Sequence, residues 1–275
     1  MPQLPCHVFD AALVREPAAS CVRGLRAVDR GPPDLARFRA QHAAYVDALR
    51  RAGVHVTVLP PDEAWPDSVF VEDPALCLPE GAILLRPGAE ARAGEPATLD
   101  PALRARFERF VRLEVGSVEG GDVLVTDREV LVGLSNRTSR AGAEALASVL
   151  TAWGRVVRVV ETPAGVLHFK SDCAALGGDR ILATAALTAT GVFEGYDVQV
   201  APDDEPGAAN CIRVNETLLV PAGRPRTAEH LARAGHRIEI LDIGEAEKLD
   251  AGLSCMSLRF RGSRTGGQRP HAPLP

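Results

Sequence analysis

The chain has 275 residues, 46% apolar and 24% charged, enough to bury a sizeable core in one large domain or two small ones. Its formal net charge of −5 argues against the phosphate-neutralising surface of a general nucleic-acid binder. No apolar run approaches the ~18 residues of a membrane span, and "MPQLPCHVFD" lacks a signal-peptide core, so a cytoplasmic protein is expected.

In chain order, the first predicted element is a helix over 34–52, with Leu35, Phe38, Tyr45, Val46 and Leu49 on one face, followed by the strand "VHVTVLP". Over 71–115 the hairpin strands "ALCLP" and "AILLRPG" precede a helix with Asp100 at its N-cap and Pro101 at its first position, then the strand "VRLEV". The pattern is clearest over 119–160. There "DVLVT" and "EVLVGL" flank a turn at Asp127-Arg128, and a helix capped at Thr138 or Ser139 leads into "VVRVV". The stretch 170–200 fits more loosely, with "AALTATGVF" as a weak helix. Over 210–243 come "CIRV" and "TLLVP", a helix capped by Thr227 and ended by Gly235, and "RIEIL". A last strand over 254–260 has no helix of its own. It would complete a fifth unit with the N-terminal helix and strand by joining the chain ends.

Each unit opens on polar residues: Asp73, Glu119 with Asp122, Lys170 with Asp172, Asn210, and Cys255. A repeat of roughly 40–50 residues suits a ring of blades, in which such strand starts meet at one hub. The same elements also suit an ordinary three-layer α/β domain, in which the polar residues are loop punctuation.

The six cysteines are scattered without C-x-x-C or Cys/His pair spacing, so free thiols are expected rather than disulfides or a structural zinc site. Cys255, in "GLSCMSLRF", is either a small buried hydrophobe or a nucleophile. His168, at the end of a strand-like stretch in "GVLHFKSDC", differs from the other histidines, which sit in charged, helical or terminal contexts. A cysteine with a histidine is the minimal pair for covalent catalysis. Asp67, Glu72, Asp73, Glu119 and Asp122 near such a pair call for a cation. Carboxylate-rich metal sites rarely include a thiol, whereas a guanidinium matches paired carboxylates bidentately. Arg86 in "LLRPG" and Arg137 in "LSNRTS" are each ordinary surface residues alone; together they could clamp an α-carboxylate.

The strings "PDSVFVEDPALC", "LLRPGAEARAGE", "VEGGDVLV", "GLSNRTS", "VLHFKSDC", "AANCIRVN" and "GLSCMSLRF" closely resemble the dimethylarginine dimethylaminohydrolase family, in order and at compatible spacing from Leu25 to Phe260. That resemblance implies the α/β fold of the guanidine-modifying superfamily, a five-bladed α/β-propeller (pentein) of ββαβ units. Residues 1–260 would form one catalytic domain and 261–275 a disordered tail. It implies Cys255 as nucleophile, His168 as general acid/base and Glu119 as the carboxylate orienting that histidine and the guanidinium. Asp73, with Glu72 and Asp67, would line the substrate site, Arg86 and Arg137 would hold the carboxylate, and Leu25 and the Leu249 backbone would complete the contacts. The implied reaction converts Nω-methylated L-arginine to citrulline and a methylamine without metal or organic cofactor. The expected partner is this small molecule, with neither nucleic acid nor membrane; a homodimer is compatible with the chain. Two other readings remain: a deiminase of arginine or agmatine, although agmatine has no carboxylate for an arginine pair, and a catalytically idle guanidinium-binding protein.

Overall fold

The computed structural model describes residues 5–262, so the expected C-terminal tail lies, from residue 263, outside the described residues. The N-terminal segment forms strand β1 (Ala11–Arg15), helix α1 (Leu35–Arg51) and strand β2 (His55–Leu59). Next come β3 (Ala75–Leu78), β4 (Gly81–Leu84), α2 (Glu95–Arg104) and β5 (Phe110–Arg112). The unit recurs as β6 (Val123–Val125), β7 (Val130–Leu134), α3 (Arg140–Ala152) and β8 (Val157–Glu161). It recurs again as β9 (Cys173–Gly177), β10 (Arg180–Ala183), the single-turn α4 (Ala185–Thr188) and β11 (Asp197–Val200). The last full unit is β12 (Ile212–Val214), β13 (Thr217–Pro221), α5 (Pro225–Arg233) and β14 (Arg237–Leu241), after which α6 (Gly244–Glu247) leads to β15 (Leu258–Phe260).

Among the described residues these strands form five three-stranded sheets, and the fold is mixed α/β. In each sheet the central strand runs antiparallel to one neighbour and parallel to the other. The parallel pair requires a crossover, which the helix supplies. The expected joining of chain ends is present, in the order β15-β1-β2. Its central strand, β1, is one the sequence reading did not anticipate.

Helix α1 follows its predicted span. Asp34 caps it by accepting from Arg37 N, and Phe38, Tyr45, Val46 and Leu49 are buried, each side chain worth ~1.5–3 kcal/mol when removed from water. Ser139 caps α3 by accepting from Gly142 N. Two helix starts differ from expectation. Helix α2 begins at Glu95, with Pro96 in its first turn and Pro101 inside it, while Asp100 pairs with Arg104 and Arg112 instead of capping. In α5 the Glu205 carboxylate accepts from Arg226 N and Thr227 N at 2.8 Å each and from the Thr227 hydroxyl at 2.6 Å. A distant carboxylate thus does the work expected of Thr227 as a cap.

Hydrogen bonds between the segments that enter successive sheets position the site. Gly121 N donates to Asp73 Oδ1 (3.0 Å), Phe169 N to Asp122 Oδ1 (2.8 Å), and Asn210 Nδ2 to Lys170 O (3.1 Å). Ser254 N donates to Asn210 Oδ1 (3.0 Å), and Glu72 N to Cys255 O (3.2 Å), which returns the succession to its start. No helix among the described residues is long and apolar enough to cross a membrane.

Candidate active site

Cys255 sits in a 3₁₀ turn, Ser254–Met256, just before β15. Fully buried Tyr45 reaches this turn from α1: its hydroxyl donates to Leu253 O (2.9 Å) and shares a hydrogen bond with Ser257 Oγ (2.6 Å). Arg259 Nη1 donates to Ser254 O and Ser257 O at 3.1 and 2.9 Å. The cysteine is therefore clamped on both sides. Its Sγ accepts from Gly252 N at 3.4 Å. Burial, with the charges of Asp73 and Glu72, pushes the thiol up to about 12, against the pull of the Gly252 amide and Lys170.

Glu119 and His168 each immediately precede a 3₁₀ turn, Gly120–Asp122 and Phe169–Ser171. These turns aim the two side chains at each other: His168 Nε2 lies 2.6 Å from Glu119 Oε2, with Glu119 wholly buried. Glycine makes the approach feasible. A Cβ on Gly121 would stand 2.7 Å from His168 Cγ and 2.9 Å from Asp73 Oδ1, and one on Gly120 would stand 2.0 Å from Glu72 O. The second oxygen, Glu119 Oε1, accepts from Gly88 N (3.0 Å), Ala89 N (3.2 Å) and Arg137 Nη1 (3.4 Å). Burial disfavours a charged imidazole, but Asp73, the Glu119 hydrogen bond and Asp122 outweigh it and raise His168 to about 9.

Cys255, His168, Glu119, Asp73, Asp67, Arg137, Leu25 and Leu249 line one cleft. Asp67 accepts from Leu25 N through both oxygens, at 3.0 and 3.2 Å. Asp73 pairs with Arg92 Nη1 at 2.5 Å; burial works against its carboxylate, but Arg92 and His168 hold it below the usual range. Asp73, Glu119 and His168 place one donor atom each within 4.8 Å of one another. Their oxygens already accept from Arg92, Gly121, Gly88, Ala89 and Arg137, an engagement suited to a proton relay beside a hydrogen-bonded cation.

Two expected site residues lie elsewhere. Arg86 is exposed beyond the end of β4 and donates to Glu114 O. The second arginine lining the cleft, beside Arg137, is Arg92, which sequence reasoning missed. It is held by Glu95 through Nε and Nη2 and by Phe70 O. No local pattern marks it: Arg92 ends a 3₁₀ turn and Glu95 opens α2. Glu72 faces away from the cleft residues, paired with Lys170 (2.7 Å) and Arg259 (3.1 Å). With those two cations it lines a second, larger cavity that contains none of Cys255, His168 and Glu119. Asp122 and Asp172 are likewise outside the cleft; Asp172 accepts from Thr184 Oγ1.

Residues 34–169 match the family model described as N,N dimethylarginine dimethylhydrolase, eukaryotic. A curated N(G),N(G)-dimethylarginine dimethylaminohydrolase from Pseudomonas aeruginosa is 42% identical over 255 residues, covering 92% of this chain and 100% of that protein. Among solved structures, a mutant of the Pseudomonas aeruginosa enzyme complexed with citrulline superposes with a TM-score of 0.89 at 40% identity, over 92% of this chain and 100% of that one. A dimethylarginine dimethylaminohydrolase variant solved as an adduct with S-methyl-L-thiocitrulline superposes equally well, at 0.89 and 41% identity over the same shares. The chain belongs to the dimethylarginine dimethylaminohydrolase family, hydrolases of C–N bonds in linear amidines.

Proposed function

We propose that the protein hydrolyses Nω-methylated L-arginine, asymmetric dimethylarginine and monomethylarginine, to L-citrulline and a methylamine through a covalent intermediate on Cys255. The observation that carries this reading is the Glu119–His168 hydrogen bond in a cleft also lined by Cys255 and the Asp73 carboxylate. With the thiol raised to about 12, the empty site holds a protonated cysteine beside a charged imidazole. A guanidinium bound by Asp73 brings a positive charge to the thiol and favours its thiolate, the thiol proton passing to solvent. The thiolate then attacks the guanidinium carbon, forming a C–S bond. His168 gives its proton to the departing amine as the C–N bond breaks, which leaves a thiouronium on Cys255. The neutral imidazole next takes one proton from water attacking the same carbon, and as the C–S bond breaks the remaining hydroxyl proton passes to the departing sulfur, releasing citrulline and the Cys255 thiol. Arg137, half-buried at the cleft, supplies a cation for the α-carboxylate.

Residues 1–260 then serve as one catalytic domain, with the five sheets as blades of an α/β-propeller around the cleft. The closed succession of hydrogen bonds from Glu72 round to Cys255 supports that arrangement. The test of function is a citrulline-release assay across asymmetric dimethylarginine, monomethylarginine, arginine and agmatine, with methylamine measured alongside. Turnover confined to arginine with ammonia release, or to agmatine, would overturn the proposal in favour of a deiminase. No turnover at all would favour a binding protein.

A further inference from the structure

One buried carboxylate takes no part in the chemistry above. Asp122 is wholly inaccessible and does not line the cleft, yet three segments of the site meet on it. Its Oδ1 accepts from Phe169 N (2.8 Å), the residue after His168. Its Oδ2 accepts from Ser135 Oγ (2.7 Å) and Thr138 Oγ1 (2.6 Å). Both hydroxyls, having donated inward, turn their lone pairs to the backbone: Thr138 Oγ1 accepts from Glu119 N (3.1 Å), and Ser135 Oγ from Arg137 N (3.0 Å) and Thr138 N (3.2 Å).

We propose that Asp122 is the positioning residue of this site, an acceptor-only carboxylate that fixes His168, Glu119 and Arg137 relative to one another through Phe169, Thr138 and Ser135. The proposal rests on the catalytic reading of those three residues. A carboxylate is required because it accepts from both hydroxyls at once. An asparagine would aim an N–H at hydroxyls already accepting from the backbone, and Ser135 Oγ has both lone pairs engaged. Burial raises the Asp122 carboxyl above its ordinary value, against His168 and the hydrogen bonds from Thr138, Ser135 and Phe169, which favour the charge. The charge of Asp122 also favours the His168 imidazolium, alongside Asp73 and Glu119; Arg92 and Arg137 are the cations facing the same cleft.

The two hydroxyl arms separate positioning from mere stability. With asymmetric dimethylarginine as the probe, Thr138→Val loosens Glu119 and is expected to lower kcat ~10-fold while KM stays within about threefold. Ser135→Ala loosens Arg137 and is expected to raise KM ~10-fold while kcat stays within about threefold. Asp122→Asn should combine both losses and move the basic limb of the pH profile to lower pH. Variants that lower thermal stability but keep wild-type kcat, KM and pH profile per folded molecule would overturn the proposal, as would equal effects of the two arms on both constants. If D122N does not fold, the split between T138V and S135A decides alone. If the wild-type protein turns over none of the arginines, the catalytic reading fails instead. The proposal is then judged by the His168 ring titration followed by NMR, where an unmoved pKa in T138V and D122N overturns it.

Discussion

Replacing Glu119 by Gln removes a charge from the proton relay with almost no change in volume. Glu119 is 0% exposed, and its Oε2 lies 2.6 Å from His168 Nε2. Against the opposing effect of burial, Asp73, Glu119 and Asp122 raise His168 to about 9, and Glu119 contributes both a hydrogen bond and a charge. A hydrogen bond to a charged group is worth ~1.5–3 kcal/mol. At ~1.4 kcal/mol per unit, that corresponds to ~1–2 units, so His168 in E119Q is expected at roughly 7–8. The glutamine oxygen keeps the Gly88 and Ala89 amides, which leaves its NH2 facing His168 Nε2 and favours the neutral ring as acceptor. At pH 8 the general acid is then depleted and mispositioned, and kcat should fall ~100-fold or more. Ring-labelled histidine NMR across pH, with a pH–rate profile beside it, is the assay. A His168 pKa unchanged in E119Q would refute the assignment of Glu119 as the group that charges and orients this histidine.

Cys255→Ser is expected to abolish turnover, while serine at Cys6, Cys21, Cys77, Cys173 or Cys211 keeps most of it, as read by citrulline release. Arg137→Ala should raise KM for asymmetric dimethylarginine ~10- to 100-fold and narrow its preference over a decarboxylated analogue. Arg86→Ala, exposed and outside the cleft, should leave both constants within about threefold. His168 also links stability to pH. Its folded pKa lies above the unfolded value near ~6.5, so its contribution is fully present below that value and lost as pH rises through about 9. The full span is about 3 kcal/mol, and denaturant midpoints from pH 6 to 10 should decline less in H168Q than in the wild-type protein.

The repeating unit was legible because hairpin alternation and helical periodicity are local signals. They marked the strand pairs of 119–160 and 210–243 and the buried face of α1, and three of the polar residues that open units, Asp73, Glu119 and Cys255, line the cleft. What escaped the reading depends on short segments and on partners distant in sequence. β1 carries "AALVR", too short and uniform for period-two alternation, and it is a strand because β2 and β15 flank it. Arg86 occupies the strand end that pattern reasoning favours, whereas Arg92 lies in a three-residue 3₁₀ turn with no period to betray it. The capping of α5 by Glu205 and the anchoring of the Cys255 turn by Tyr45, 208 residues from Leu253, are tertiary contacts. Family resemblance supplied Leu25 and Leu249, whose own surroundings carry no chemical signal.

The central claim is that catalysis passes through Cys255, and acid-quenched intact-protein mass spectrometry tests it most directly. The wild-type protein and His168→Gly are each mixed with asymmetric dimethylarginine, quenched over a time series, weighed intact and mapped by peptide. The account predicts an adduct equal to the substrate less dimethylamine, carried on Cys255 and absent from C255S. It should be transient in the wild-type protein, and any formed in H168G should persist, because water activation has lost its base. Citrulline accumulating with no Cys255 adduct at any quench time, or released by C255S at a rate near wild type, would contradict the account.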